Sequence, residues 1–368
     1  MPPGEKKPLQ FFDPEHVDRV TPKHSWRALA LAALAFTAAL TIGWEVYWRG
    51  KGMTAGDFNN TAALWAQARR KATGDATVII GSSRILFDID LDLWEEFSGV
   101  RPVQLALEGT SPRIFLKDLA DDEAFHGKVI IGVTVPVFYR SAGGLRANVL
   151  AYERDETPSQ RADHILSNQL ERIFAFIDEQ TRPKRQIHLW PAPLREGMKP
   201  LFDPRKLEAM KEDRNAKLWA RVVTDEAYRD EAKAQWMIAL KSFAPPPGPN
   251  GEPPKQMPDA AINAVIAEVK ANIDKIRARG GDVAFMRLPY DGAFAVAEDN
   301  GFPRERFWDP LLAQTNSVGV AWQDHPELQG YYIPEWSHLA AAEALRYTRA
   351  VTPIFYAKTG WPTRPPDD

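Results

Sequence analysis

The run Ala76-Thr77-Val78-Ile79-Ile80-Gly81, followed at once by Ser82-Ser83-Arg84, decides the fold. A short, β-branched, mostly apolar stretch with no polar alternation reads as a strand buried on both faces. Similar runs recur at Pro102 to Leu107, Lys128 to Thr134, Asp282 to Leu288 and Val318 to Trp322. Helical patterns separate them. One lies around Pro112 to Ala120, and another runs from Asp259 to Arg279, where Ile262, Val265, Ile266, Val269, Ile273 and Ile276 share a stripe closed by Gly280-Gly281. Strands alternating with amphipathic helices predict an α/β fold, a parallel sheet with helices on both faces in three α/β/α layers.

The alternation breaks between Tyr139 and Pro258. Helical patterns dominate there, with Ile165, Leu166, Leu170, Ile173, Phe174 and Ile177 at helix spacing and a charged run from Arg205 to Lys241. The stretch reads as a helical insertion whose charges suit a solvated surface better than a lipid-binding one. It ends in a Pro/Gly-rich linker, Ala244 to Pro254. The expected division is an N-terminal segment 1–27, a membrane anchor 28–48 and a stalk helix 49–75. The α/β domain follows in two parts, 76–138 and 258–358, around the insertion and linker 139–257, with a frayed tail 359–368.

The 368 residues are 44% apolar and 26% charged, the balance of a folded protein. Forty-six Lys and Arg against 49 Asp and Glu leave a net charge of -3, too little positive field to hold nucleic acid. The absence of Cys excludes disulfides, thiolate zinc sites, iron–sulfur clusters and a Cys nucleophile. No phosphate-cradling glycine loop or Gly-x-Ser-x-Gly elbow is present, which disfavours nucleotide enzymes and ordinary α/β-hydrolases, and no cofactor is expected.

From Ala28 to Trp44 the chain is uncharged, and with Val46, Tyr47 and Trp48 it supplies about 20 residues, roughly 30 Å of helix. Apolar residues on every face, Trp26 at one end and Trp44, Tyr47 and Trp48 at the other, predict a transmembrane helix. Lys6, Lys7, Arg19, Lys23 and Arg27 precede it, as on a cytoplasmic flank, while Arg49, Lys51, Arg69 and Arg70 follow it. The 27-residue leader, and Gly43-Trp44-Glu45 where a small-residue cleavage site would stand, point to an uncleaved anchor. The expectation is a single-pass protein of the inner (cytoplasmic) membrane, its N-terminus cytoplasmic and its folded part periplasmic.

In a parallel sheet, ligands gather beyond the carboxyl ends of the strands. The first strand ends in Gly81-Ser82-Ser83-Arg84, a serine at a strand-to-helix turn. Near the C-terminus, Pro334-Glu335-Trp336-Ser337-His338-Leu339 precedes a helical run to about Val351. A carboxylate three residues before a histidine can fold back on Nδ1–H and leave Nε2 free to take a serine proton. Asp324 is the alternative acid. Arg84 and Arg287 stand where they can hold an anionic substrate group or pair with a carboxylate. Asp88-Ile89-Asp90-Leu91-Asp92 alternates carboxylates but lacks the glycine and closing Glu of a calcium loop, so it reads as a turn capping the next helix, with no metal expected.

Together the two blocks resemble the SGNH (GDSL-like) hydrolase superfamily, over roughly Thr77 to Thr134 and Asp282 to Val351. The resemblance implies a flavodoxin-like three-layer fold in which Ser83 is the nucleophile, with Ser82 where the family has Asp. It makes His338 the base and Glu335 the acid, in place of the usual Asp. Gly109, in Leu105-Ala106-Leu107-Glu108-Gly109, matches the glycine whose N–H lines the oxyanion hole beside that of Ser83. The family's third-block Asn is missing from Gly132-Val133-Thr134-Val135-Pro136, which leaves Thr134 as its replacement. The implied activity is a serine esterase or O-acyltransferase acting on acyl esters, small or carried by cell-envelope polysaccharide. With an N-terminal anchor, the chain is similar to accessory proteins of polysaccharide O-acetylation, which work with a multi-span membrane acyltransferase. The contrasting expectation is an inactive domain of the same fold that binds glycan or scaffolds an envelope complex.

Overall fold

The computed structural model describes residues 25–140, 143–144, 146–189, 202–243 and 256–363. Lys6, Lys7, Arg19, Lys23 and the linker Ala244 to Pro254 lie outside the described residues. The strands are β1 (Thr77–Ile80), β2 (Val103–Gln104), β3 (Lys128–Gly132), β4 (Glu208–Met210), β5 (Ala216–Leu218), β6 (Asp282–Arg287) and β7 (Val318–Ala321). Five of them form one sheet in the order β2-β1-β3-β6-β7, every pair parallel. Each of the five predicted runs is present, trimmed at its ends. β2 is short, yet Leu105 N–H still donates to Ile79 O at 2.8 Å and Leu107 N–H to Gly81 O at 3.0 Å. Strand order reverses between β1 and β3, which opens a crevice beyond their carboxyl ends.

Alternation along each strand sends apolar side chains to both faces. On one face Ile79, Ile130, Met286 and Val320 pack with Leu86, Trp94, Tyr347 and Phe355. These last four come from helices Ser83–Asp88, Leu91–Ser98 and Ala341–Thr359. On the other face Val78, Ile80, Val129, Ile131 and Phe285 pack with Trp65, Phe115, Ile266, Ile273 and Leu311. Helices Ala62–Arg69, Pro112–Asp121, Asp259–Ala278 and Arg304–Thr315 supply them. Helices therefore cover both faces of the sheet.

Three boundaries differ from the expectation. The segment read as a stalk belongs to the body: helix Ala62–Arg69 buries Trp65, whose indole N–H donates to Leu105 O at 3.0 Å. The last helix runs to Thr359 rather than Val351, with Pro353 inside it, and buried Trp361 donates to Asp282 Oδ2 at 2.9 Å. The start of the tail is thus docked rather than frayed, because an indole that can bury its rings and still satisfy its N–H holds the chain end down.

The insertion contains helices Val149–Asp155, Pro158–Ile173, Pro183–His188, Ala220–Thr224 and Glu226–Phe243, and also an antiparallel hairpin, β4–β5, that helical periodicity did not predict. Its turn residue Arg214 has φ 67° and a fully buried side chain. Arg214 donates to Gln104 O at 3.0 Å and Ala106 O at 2.7 Å, so a residue of the charged run satisfies the end of β2. Met210, Ala216 and Leu218 enter the main core beside it.

Helix Trp26–Gly50 is long and apolar enough to cross a membrane, with mean hydropathy 1.7 and its apolar window wholly unburied. Only its last turns touch the body. Trp48 is buried, and Glu45 accepts hydrogen bonds from Ala175 N at 3.0 Å and Phe176 N at 3.1 Å.

Candidate active site

β1 ends at Ile80, and only Gly81 and Ser82 separate it from helix Ser83–Asp88, too tight a turn for ordinary side chains. A Cβ at Gly81 would stand 2.3 Å from Ile85 Cγ2, and one at Gly132, ending β3, 2.5 Å from Ile85 Cβ. Both strand ends must be glycine for the helix to seat on the crevice. Ser83 is then the first helical residue, its N–H donating to no acceptor among the described residues. Ser82 and Thr134, from the ends of β1 and β3, join hydroxyls at 2.7 Å across the reversal point. Gly109 follows the stretch that pairs with Gly81, adopts φ 58°, and its N–H also meets no acceptor among the described residues.

The C-terminal loop comes to the same rim. Phe87 lies one turn after Ser83, about 6 Å along the helix, and its ring packs on that of His338 at 4.5 Å between centroids. Asp88 Oδ1 accepts from Leu339 N at 2.9 Å, and Arg84 Nε donates to Ser337 Oγ at 3.4 Å. Trp336 holds a left-handed φ of 75°, unusual for a bulky residue. Its carbonyl accepts from Asp291 N at 2.9 Å, and the adjacent Gly292 has room only for hydrogen, since a Cβ there would lie 2.3 Å from the Trp336 ring.

Within this loop Glu335 folds back on His338. Oε1 accepts from His338 Nδ1 at 2.9 Å, from His338 N at 2.6 Å and from Ser337 N at 3.3 Å. Oε2 accepts from the indole N–H of Trp236, on insertion helix Glu226–Phe243. Burial alone would raise the Glu335 carboxyl, but the neighbouring His338 and the hydrogen bonds from His338 and Trp236 hold it below its ordinary value. His338 is 1% exposed and its Nε2 is buried without a hydrogen-bond partner. Ser83 Oγ and His338 Nε2 make no hydrogen bond to each other. Trp236 also faces the imidazole at 6.0 Å between centroids and packs edge-on to Phe294, so the insertion roofs the histidine.

Other residues marked in the sequence take partners here. Arg84 is buried and paired with Glu298 at 2.6 Å, with its guanidinium 4.8 Å from the Tyr290 ring centroid. Arg287 is buried and donates to Tyr290 Oη at 2.6 Å, and that hydroxyl in turn donates to Asp299 at 3.0 Å. Of the two alternatives for these arginines, Arg84 takes the paired one. Asp324 pairs with Arg304, on the surface, and not with His338. Asp90 caps helix Leu91–Ser98 by accepting from Leu93 N at 2.8 Å, and Asp92 takes Lys211 at 2.6 Å and Arg101 at 2.8 Å.

Asp88, expected only as part of a capping turn, instead meets the C-terminal loop at Leu339, and Trp236 was not foreseen at all. Burial holds the Asp88 carboxyl well above its ordinary range, and its Oδ2 is unpartnered. A periodic signal existed for Asp88, one turn past Arg84 on the same short helix; none existed for Trp236. Two open clefts among the described residues are lined by neither Ser83 nor His338; one runs from Gln67 to Asp213 and the other lies beside Tyr47, Trp48 and Lys51. No protein-family model matches the chain, and no curated protein matches it.

Proposed function

We propose that the chain is a membrane-anchored serine esterase or O-acyltransferase of the SGNH (GDSL-like) type, with a three-layer α/β/α domain on the periplasmic side of the inner membrane. Its substrate would be an acyl ester, in the simplest case an acetyl ester of cell-envelope polysaccharide. One observation carries the reading: Glu335 occupies Nδ1 of His338, Nε2 is left unpartnered, and the ring packs on the helix that Ser83 begins. This supports a base with its tautomer fixed, packed on the helix whose first residue would be the nucleophile.

In this mechanism Ser83 Oγ attacks the acyl carbon while His338 Nε2 takes its proton, and Glu335 stabilises the imidazolium. The N–H groups of Ser83 and Gly109 receive the oxyanion. Thr134 joins them when Ser82 Oγ donates to Thr134 Oγ1, which frees the threonine proton for the cleft. His338 then returns the proton to the departing alcohol, and water or a sugar hydroxyl attacks the acyl-Ser83 with His338 again as base. The Ser83–His338 hydrogen bond forms as substrate closes the site, since such bonds are commonly long in ligand-free enzymes. A sugar acceptor would make a multi-span membrane acyltransferase the natural source of acyl groups.

A second reading, an inactive domain that binds glycan or scaffolds an envelope complex, is favoured by the burial of Nε2 beneath Trp236 and the missing contact with Ser83. Hydrolysis of an activated acetyl ester by the full chain in detergent separates the two. The enzyme reading expects turnover that Ser83→Ala and His338→Ala each abolish. Turnover indistinguishable from buffer, with glycan binding unchanged by Ser83→Ala, would establish the second.

A further inference from the structure

Helix Pro158–Ile173 is amphipathic in the reverse sense of a body helix. Its buried stripe is polar: His164, Asn168 and Glu171, at i, i+4 and i+7. Two of them have partners on the body, His164 Nε2 donating to Gln67 Oε1 at 2.7 Å and Glu171 Oε2 accepting from Asn59 N at 2.9 Å, while Asn168 Nδ2 lies 3.4 Å from His164 Nε2. Its outer stripe, Ala162, Leu166, Leu170 and Ile173 at i, i+4, i+8 and i+11, is aliphatic, and Ile165 flanks it. The four larger residues are 44% to 65% exposed. A helix fixed to the body by its polar side and showing Ile and Leu outward has its apolar face prepared for another phase.

The position of that face identifies the phase. The helix ends against the last turns of Trp26–Gly50, where Arg49 Nη2 donates to Ile173 O at 3.3 Å. The next residues, Ala175 and Phe176, donate to Glu45. Close by, helix Pro183–His188 exposes Ile187 at 71%, and its neighbours Gln186 and Leu189 share a cleft with Tyr47, Trp48 and Lys51. Arg161, Arg172 and Arg182, paired with Glu156, Glu212 and Glu179, are exposed around these apolar residues, as is Lys184. An aliphatic stripe with a charged, ion-paired rim, continuous with the foot of an apolar helix, has the chemistry of a helix lying in a bilayer interface.

We propose that helix Pro158–Ile173 is a second membrane contact, embedding Leu166, Leu170 and Ile173 in the interface of the bilayer that Trp26–Gly50 crosses. The inference rests on reading that helix as a span. It revises the expectation that the insertion suits a solvated surface better than a lipid-binding one, because composition counts the charges of this stretch but not the side of the helix they occupy. The protein would be held at two points, which fixes the body's orientation over the membrane as well as its distance from it.

The absence of Cys makes single-cysteine variants of the full chain direct reporters. Leu34→Cys, Leu166→Cys and Lys270→Cys, each carrying an environment-sensitive fluorophore, are placed in phosphatidylethanolamine/phosphatidylglycerol vesicles with a shallow spin-labelled lipid. The proposal expects lipid quenching at 34 and 166 at least threefold above that at 270, and Leu170→Glu with Ile173→Glu to reduce the signal at 166 to the level at 270. Quenching at 34 with water exposure at 166 overturns the proposal and leaves the span intact. No quenching at 34 overturns the span and the proposal with it. A label at 166 shielded from water but not quenched by lipid, or a Leu166→Cys disulfide between two copies, overturns it in favour of a protein partner.

Discussion

Glu335 is buried with four donors on its two oxygens, and replacing it with Gln keeps the shape while removing the charge that an imidazolium at His338 would need. Glu335→Gln should lower kcat for an activated ester by about 10³–10⁴-fold with KM nearly unchanged, as steady-state kinetics would show. It should also change acid stability. The folded state holds this carboxyl below 4.5, so its contribution is present above the unfolded value and is lost as pH falls through the folded one. Urea midpoints should therefore drop less steeply below about pH 4.5 in Glu335→Gln than in the parent. Asp88 works in the opposite sense. Burial raises it well above 3.8, so its contribution is complete below the unfolded value and is lost as pH rises through the folded one. Asp88→Asn, which still accepts from Leu339, should gain stability relative to the parent as pH rises from 4 to 7, as paired urea titrations would show; a parallel loss would contradict this. The contact of Glu335 with His338 was legible because it spans three residues and is a matter of local spacing. The contact of Asp88 with Leu339 was not, because the two lie 251 positions apart and only the packing of helix Ser83–Asp88 on the sheet unites them.

At the scale of elements, the strand ends matter most. Gly81 and Gly132 admit Ile85 to the crevice, and a single methyl at either site meets that side chain or its neighbours well inside contact distance. Gly132→Ala should cost about 1–3 kcal/mol by chemical denaturation and shift the helix that starts at Ser83, reducing any Ser83 reactivity beyond what the stability loss explains. The five parallel strands were legible because sheet strands covered on both faces appear as short, mostly apolar runs without polar alternation. The β4–β5 hairpin was not, since strands of three residues carry no readable period and Arg214, which clamps them to β2, looks like one more surface charge. Helix Pro158–Ile173 shows the same limit: its period was plain in the sequence, but which stripe faces inward depends on the polar partners Asn59 and Gln67.

For the whole molecule, the end of helix Trp26–Gly50 belongs to the fold even though its remainder is unburied. A chain beginning at residue 50 would lose buried Trp48 and the Glu45 carboxylate that accepts from Ala175 and Phe176. It should be less stable by about 2–4 kcal/mol than one beginning at residue 44, and urea unfolding of the two compares them directly. The central claim is tested most directly by exposing the full chain in detergent to a serine-directed fluorophosphonate and mapping the adduct by peptide mass. The account predicts one modified residue, Ser83, with labelling lost in His338→Ala and slowed in Glu335→Gln. An unmodified Ser83 under conditions that label a control serine esterase, or modification that persists without His338, would contradict it.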